Sequence, residues 1–246
     1  MSPINSKLPR SCGILLHPTS LYTPYGIGDL GPAAFAYIDY LHAMKFRFWQ
    51  ILPFGPTGYL DSPYQCISAF AGNPLLISPD ILIKNQFLTK EWVMNELDKQ
   101  SNNSEKHHWT TSKQINYEKV RTFKYMLFKK AYENFVNNKD DINVKFKHEY
   151  QKFCEKHAFW LEEFVVYFSL KQQFDLKSWI EWPKRYRAHD DDAIYLWKET
   201  HNKELDYYRF IQWVFYHQWS TLKDYANDQQ IQIIGDMPIF VAHDFV

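Results

Sequence analysis

Long apolar runs are missing from this chain. Nothing in its 246 residues approaches the roughly 20 consecutive apolar residues that a membrane-spanning helix needs. The opening MSPINSKLPR has no signal-peptide core. Both absences point to a cytoplasmic protein with no membrane partner. Net charge is also missing, since Lys+Arg and Asp+Glu each number 28. No basic stripe recommends nucleic acid, and no basic amphipathic helix recommends a membrane surface. Cysteine is scarce. Cys12, Cys66 and Cys154 are far apart and odd in number, so neither a disulfide framework nor a zinc site follows from them. They are expected to be buried or unreactive thiols. The ten histidines show no metal-ligand spacing, and no repeat or low-complexity segment is present.

What is abundant is aromatic. Nine Trp, 17 Tyr and 19 Phe make up 18% of the chain. Most must be core, because such side chains carry large buried area. A surplus also suits a carbohydrate site, where the C–H face of a sugar packs on a ring. With 46% apolar residues, the chain can form one large domain or two small ones.

Three short apolar runs read as buried strands: Ile14 to Leu16 in GILLHPTS, FRFWQILPF, and QIQIIGDMPIFV. Helical patterning lies between them. Pro32 suits a first helical position ahead of Phe35, Ile38 and Leu41. Val120, Phe123, Leu127, Ala131 and Phe135 mark one amphipathic helix, and Leu161, Phe164, Val165 and Phe168 mark another. Tyr208, Ile211, Phe215, Leu222 and Ala226 mark a third. NNKDDINVK reads as a polar connection, SWIEWPKRYRAHDDDAI as an irregular stretch, and its HDDDAI part as a solvated loop rather than an acidic site.

Short continuous strands separated by helices argue for an α/β fold with a parallel sheet. In such sheets, and above all in (β/α)8 barrels, chemistry sits just past the C-terminal strand ends. Here those ends are His17-Pro18, then Pro53, then Gly235-Asp236. After Pro53 comes GPTGYLDSPYQC, rich in Gly, Pro, Asp and Ser, between two apolar segments. It reads as a rigid strand-to-helix loop that fixes Tyr59 and Tyr64 over the mouth of the sheet.

These segments carry a family resemblance. GILLHPTSL, PYGIGDLG, WQILPFGPTGY, DSPYQCISAFAGNPLLI and IIGDMPIFVAHD resemble the N-terminal half of the 4-α-glucanotransferases, also called amylomaltases. YEKVRTFK, FWLEEFVVYFSLK and FYHQWSTLKDYA resemble that family's insertion and helices, so the likeness runs from about Ser11 to Asp244. It implies an incomplete (β/α)8 barrel holding about the first three strands, with a helical insertion between strands two and three. The division implied is 1–79 for the first barrel part with its loop, 80–175 for the insertion, and 176–246 for the return to the barrel. The implied activity is transfer of 1,4-α-glucan segments to glucose or another glucan, with retention of configuration and without cofactor or metal. The implied partners are maltooligosaccharides and glucose. Nothing fixes an oligomeric state.

The resemblance assigns substrate contacts to Tyr59, Tyr64 and Asp236. On residue type alone, a loop Tyr is more often simply packed, and an Asp after a strand is often a helix cap. Leu60 stands where the family usually has Gly. A retaining mechanism needs a nucleophilic and an acid/base carboxylate. The family's nucleophile lies in an R-I-D-H motif absent from these residues, so no catalytic residue is assigned and the chain alone is expected to be inactive. Two alternatives stand: a non-catalytic glucan-binding remnant, and a hydrolase of the α-amylase clan.

Overall fold

The computed structural model describes residues 10–58, 61–100, 108–138, 140–237 and 244. Three strands, β1 (Gly13–Leu15), β2 (Phe48–Gln50) and β3 (Gln232–Ile234), form one parallel sheet in that order. Ile14, Trp49 and Ile233 stand in register across it. Leu16 N–H to Gln50 O at 3.0 Å and Ile51 N–H to Ile234 O at 2.9 Å extend the ladder past the strand ends.

The helices follow in chain order: α1 (Pro32–Ala43), α2 (Pro79–Lys84), α3 (Lys90–Lys99), α4 (His108–Thr111), α5 (Tyr117–Asn137), α6 (Asp141–Gln173), α7 (Lys184–Arg187), α8 (Asp191–Thr200) and α9 (Asn202–Asp228). α1 opens with Pro32 at its first turn, where a missing N–H costs nothing. Most of the apolar positions expected to face the core are buried: Ile38 and Leu41 on α1, all five named on α5, all four on α6, and all five on α9. Phe35 is only partly buried, against Tyr225 of α9. One continuous apolar core joins the helices to the sheet. Among the described residues no helix is long and apolar enough to cross a membrane.

Four expectations need correction. The strands are not buried throughout. Side chains alternate across a sheet, and only the Ile14–Trp49–Ile233 row faces helices, with Trp49 edge-on to Tyr37 of α1 at 5.2 Å. Leu15 and Ile234, on the other face, are 55% and 39% exposed. NNKDDINVK is mostly helix: Asp140 caps α6 through Asn143 N–H, and the buried Asn143 amide donates back to Phe135 O and Asn138 O, both at 3.0 Å. Those polar residues make the turn of a helical hairpin by satisfying its free backbone groups. HDDDAI is a helix start: Asp190 accepts from Ala193 N–H at 2.9 Å, with Asp191 and Asp192 in the first turn, where the helix dipole favours negative charge. The cysteines also differ. Burial raises the Cys66 thiol and pushes Cys154 up to about 11, keeping both protonated, but Cys12 is exposed.

Candidate functional site

The strand ends place the site. The chain leaves β2 at Ile51 and does not enter α2 until Pro79, so 51–78 form a long connection on the C-terminal edge of the sheet. Its outer part folds back on itself. Thr57 bridges Cys66, Gly58 N–H donates to Gln65 O at 2.9 Å, and Ile67 N–H donates to Pro56 O at 3.0 Å. Between these pairs a 3-10 turn, Pro63–Gln65, presents Tyr64.

The inner part is buried, and side chains satisfy its backbone. Gln212 of α9 accepts from Gly72 N–H at 2.8 Å and donates to Gly72 O at 3.0 Å. One and two-thirds helical turns later, Gln218 pairs with Ser78 in the same way, at 2.7 and 3.2 Å. Each amide stands in for a missing ladder partner, which a buried backbone requires. Gly72 is needed for this approach, because a Cβ there would lie 1.9 Å from the Phe215 ring. Lys124 of α5, fully buried, donates to Leu75 O at 2.6 Å and Ile77 O at 2.8 Å, with Asp29 3.6 Å away. Burial pulls the Lys124 ammonium below its usual range, and Asp29 opposes that shift.

Across the mouth, Asp236 follows β3. Its Oδ2 accepts from the Tyr64 hydroxyl at 2.7 Å, and its Oδ1 accepts from Met237 N–H at 2.8 Å. The loop after β2 is thereby joined to the end of β3. The hydrogen bond to Asp236 raises the Tyr64 phenol above its ordinary pKa, so it stays a proton donor at neutral pH. Tyr64 is 43% exposed, which argues against simple packing as its role. His17, after β1, is buried edge-on to Phe54 at 5.5 Å, and burial lowers its pKa to about 4, so it is neutral near pH 7.

A second tether lies eight residues beyond Asp236. Asp244 accepts from Trp179 N–H at 2.9 Å and Ser178 Oγ at 3.2 Å, pairs with Lys171 of α6, and accepts from Tyr167 Oη at its backbone oxygen at 2.6 Å. Among the described residues no group of three or more His, Cys, Asp or Glu is arranged to hold a metal ion.

The model of the 4-α-glucanotransferase family matches residues 16–246. The chain belongs to this family. As a 4-α-glucanotransferase family member it is 40% identical over 236 residues to the 4-α-glucanotransferase of Streptococcus pneumoniae and 37% identical over 235 residues to that of Synechocystis. Each alignment covers 96% of this chain and 44% of the relative. The amylomaltase of Streptococcus agalactiae, solved in complex with acarbose, superimposes with a TM-score of 0.82 at 32% identity, over 96% of this chain and 45% of that one. The chain thus spans less than half the length of the curated relatives it matches.

Of the substrate contacts expected in this family member, the structure brings Tyr64 and Asp236 together. Tyr59 and Leu60 lie outside the described residues. Sequence reasoning missed Gln212, Gln218, Lys124 and Asp244. Gln218 left a signal: it continues the apolar α9 spacing of 208, 211 and 215 toward 222, where a polar residue needs a buried partner.

Proposed function

We propose that this chain carries a 1,4-α-glucan-holding part of a 4-α-glucanotransferase site, in which Tyr64 and Asp236, with Tyr59, contact the sugar. The observation that carries this reading is the Tyr64–Asp236 hydrogen bond across the ends of β2 and β3. It presents an exposed phenol and an exposed carboxylate from two separate loops, both anchored to the helices behind them. A sugar hydroxyl can donate to Asp236, and the Tyr64 ring offers a face for a pyranose. A carboxylate fixed there also stabilises positive charge developing at an anomeric carbon.

The sheet is read as the first three strands of a (β/α)8 barrel, with 80–175 as the helical insertion. The Leu15–Gln50–Ile234 row, with Leu15 and Ile234 exposed and Gln50 half-buried, supports this, because it faces away from α1, as the inward row of a barrel wall does. Glucan segments are the donors, and glucose or another glucan the acceptor. In the 246 residues neither of the two carboxylates of retaining transfer is assigned, so this chain is proposed to bind glucan without moving it.

Two measurements on the purified chain test this. Calorimetric titration with maltoheptaose should show saturable binding. Incubation with maltotriose, with products separated by chromatography, should yield neither glucose nor longer oligomers. Folded chain that fails to bind contradicts the glucan reading, and disproportionation at enzyme rates contradicts the assignment of chemistry outside these residues.

A further inference from the structure

We propose that Asp61 is a positioning residue, latched by Arg121 of α5, that sets the direction in which the loop after β2 presents Tyr64. The proposal rests on the reading of Tyr64 as a sugar contact. Asp61 precedes Tyr64 by three residues and adopts φ = 56°, in the left-handed region. That region is disfavoured for residues with a Cβ, although Asp tolerates it better than most.

Two groups from elsewhere hold Asp61 there. The Thr57 hydroxyl donates to Asp61 Oδ1 at 3.3 Å, and the Arg121 guanidinium pairs with the same oxygen. Arg121 also lies 5.8 Å from the centre of the Tyr117 ring. The two side chains of the pair are 38% and 20% exposed, so solvent screens them less than a fully exposed pair.

The backbone transmits the orientation. After Asp61 come Ser62 and Pro63, whose ring fixes φ, and Gln65 N–H closes the turn on Ser62 O at 3.1 Å. Tyr64 sits inside that closed turn. The stem of the hairpin is secured on the other side by the Thr57–Cys66 bridge. The Asp61 side is secured by Arg121, a residue of α5. The latch therefore couples the helical region to the aim of the Tyr64 hydroxyl at Asp236.

The test uses the 246-residue chain with Arg121→Gln, Arg121→Lys, Asp61→Asn and the Asp61→Asn/Arg121→Gln double variant. Maltoheptaose affinity, the urea midpoint and amide exchange at Gly58 and Gln65 are measured for each. Asp61→Asn keeps a residue tolerant of positive φ and a Thr57 acceptor, and removes only the charge. The expected result is a loss of affinity of about threefold to fivefold in Arg121→Gln, the scale of a half-buried ion pair. Asp61→Asn should match it, and the double variant should add nothing further. Arg121→Lys should recover part of the loss. Urea midpoints should not move, while Gly58 and Gln65 should exchange faster in Arg121→Gln. Unchanged affinity in Arg121→Gln beside weakened binding in Tyr64→Phe overturns the latch and leaves the site reading intact. If Tyr64→Phe binds normally, the site reading fails, and amide exchange alone decides the latch: faster exchange supports it, and unchanged exchange overturns it.

Discussion

Two regions meet on α9, and only one of them also relies on side chains that bond its buried backbone. On one side, α5 and α6 pack against it through rings: Phe135 lies 4.9 Å from Phe210 and 5.4 Å from Trp213, and Phe87 reaches Phe135 at 5.8 Å. On the other, the connection 51–78 also sets a ring on α9, with Phe54 4.9 Å from Trp219, but its buried backbone is fastened by paired directional bonds from Gln212 and Gln218 of α9 and from Lys124 of α5. Ring packing is shared over many contacts, so each can adjust. A buried backbone group has one partner, and losing it costs the full desolvation of that group. The helical region should thus tolerate conservative change that the loop base cannot.

The largest difference is expected between Lys124→Met and Phe135→Leu. The first strands two carbonyls and the Asp29 carboxylate, and should cost about 3–5 kcal/mol in urea unfolding. The second should cost roughly 1–1.5 kcal/mol. Equal losses would show that the two regions are held alike.

Next in size is a pH effect. His17 binds a proton less readily folded than unfolded, its pKa falling from 6.5 to about 4 by burial. Between those values the unfolded chain holds more protons, so stability is full above 6.5 and is lost as pH falls toward about 4. The size is ~3 kcal/mol. Thermal melts across this range should show a shallower acid loss in His17→Gln. His157 and His217, also lowered by burial, should leave part of the slope in place.

Gln218→Met should cost about 1–3 kcal/mol, because the buried Ser78 N–H loses its acceptor and Ser78 O is left with only Leu82 N–H at 3.3 Å. Exchange of the Ser78 amide should accelerate more than exchange in α5. Uniform acceleration would argue for global loosening instead.

The smallest stability effect belongs to the mouth. Tyr64→Phe removes an exposed hydroxyl and should shift stability by no more than about 0.5 kcal/mol. A larger shift in the urea midpoint would return Tyr64 to a packing role.

The legible parts of the sequence were those with local signatures. Ile14–Leu16 and FRFWQILPF declared strands by short, mostly apolar runs, and α5, α6 and α9 declared themselves by helical spacing. The DSPY and GDMP segments pointed to Tyr64 and Asp236, and the structure joins them across 172 residues. Contacts such as Gln212 to Gly72 and Arg121 to Asp61 have no local period, because only the folded topology brings the partners together. HDDDAI was misread because a charge run and a helix start share the same residues, and capping by Asp190 distinguishes them.

The proposed function depends on Tyr64 and Asp236 forming one glucan-holding pair. Its most direct test is calorimetric titration of maltoheptaose into the chain, Tyr64→Phe, Asp236→Asn and the double variant, with melting curves recorded for each. The expected result is saturable binding that falls about tenfold in either single variant, little further in the double, with unchanged melting. Equal affinity in all four proteins, each fully folded, would contradict it.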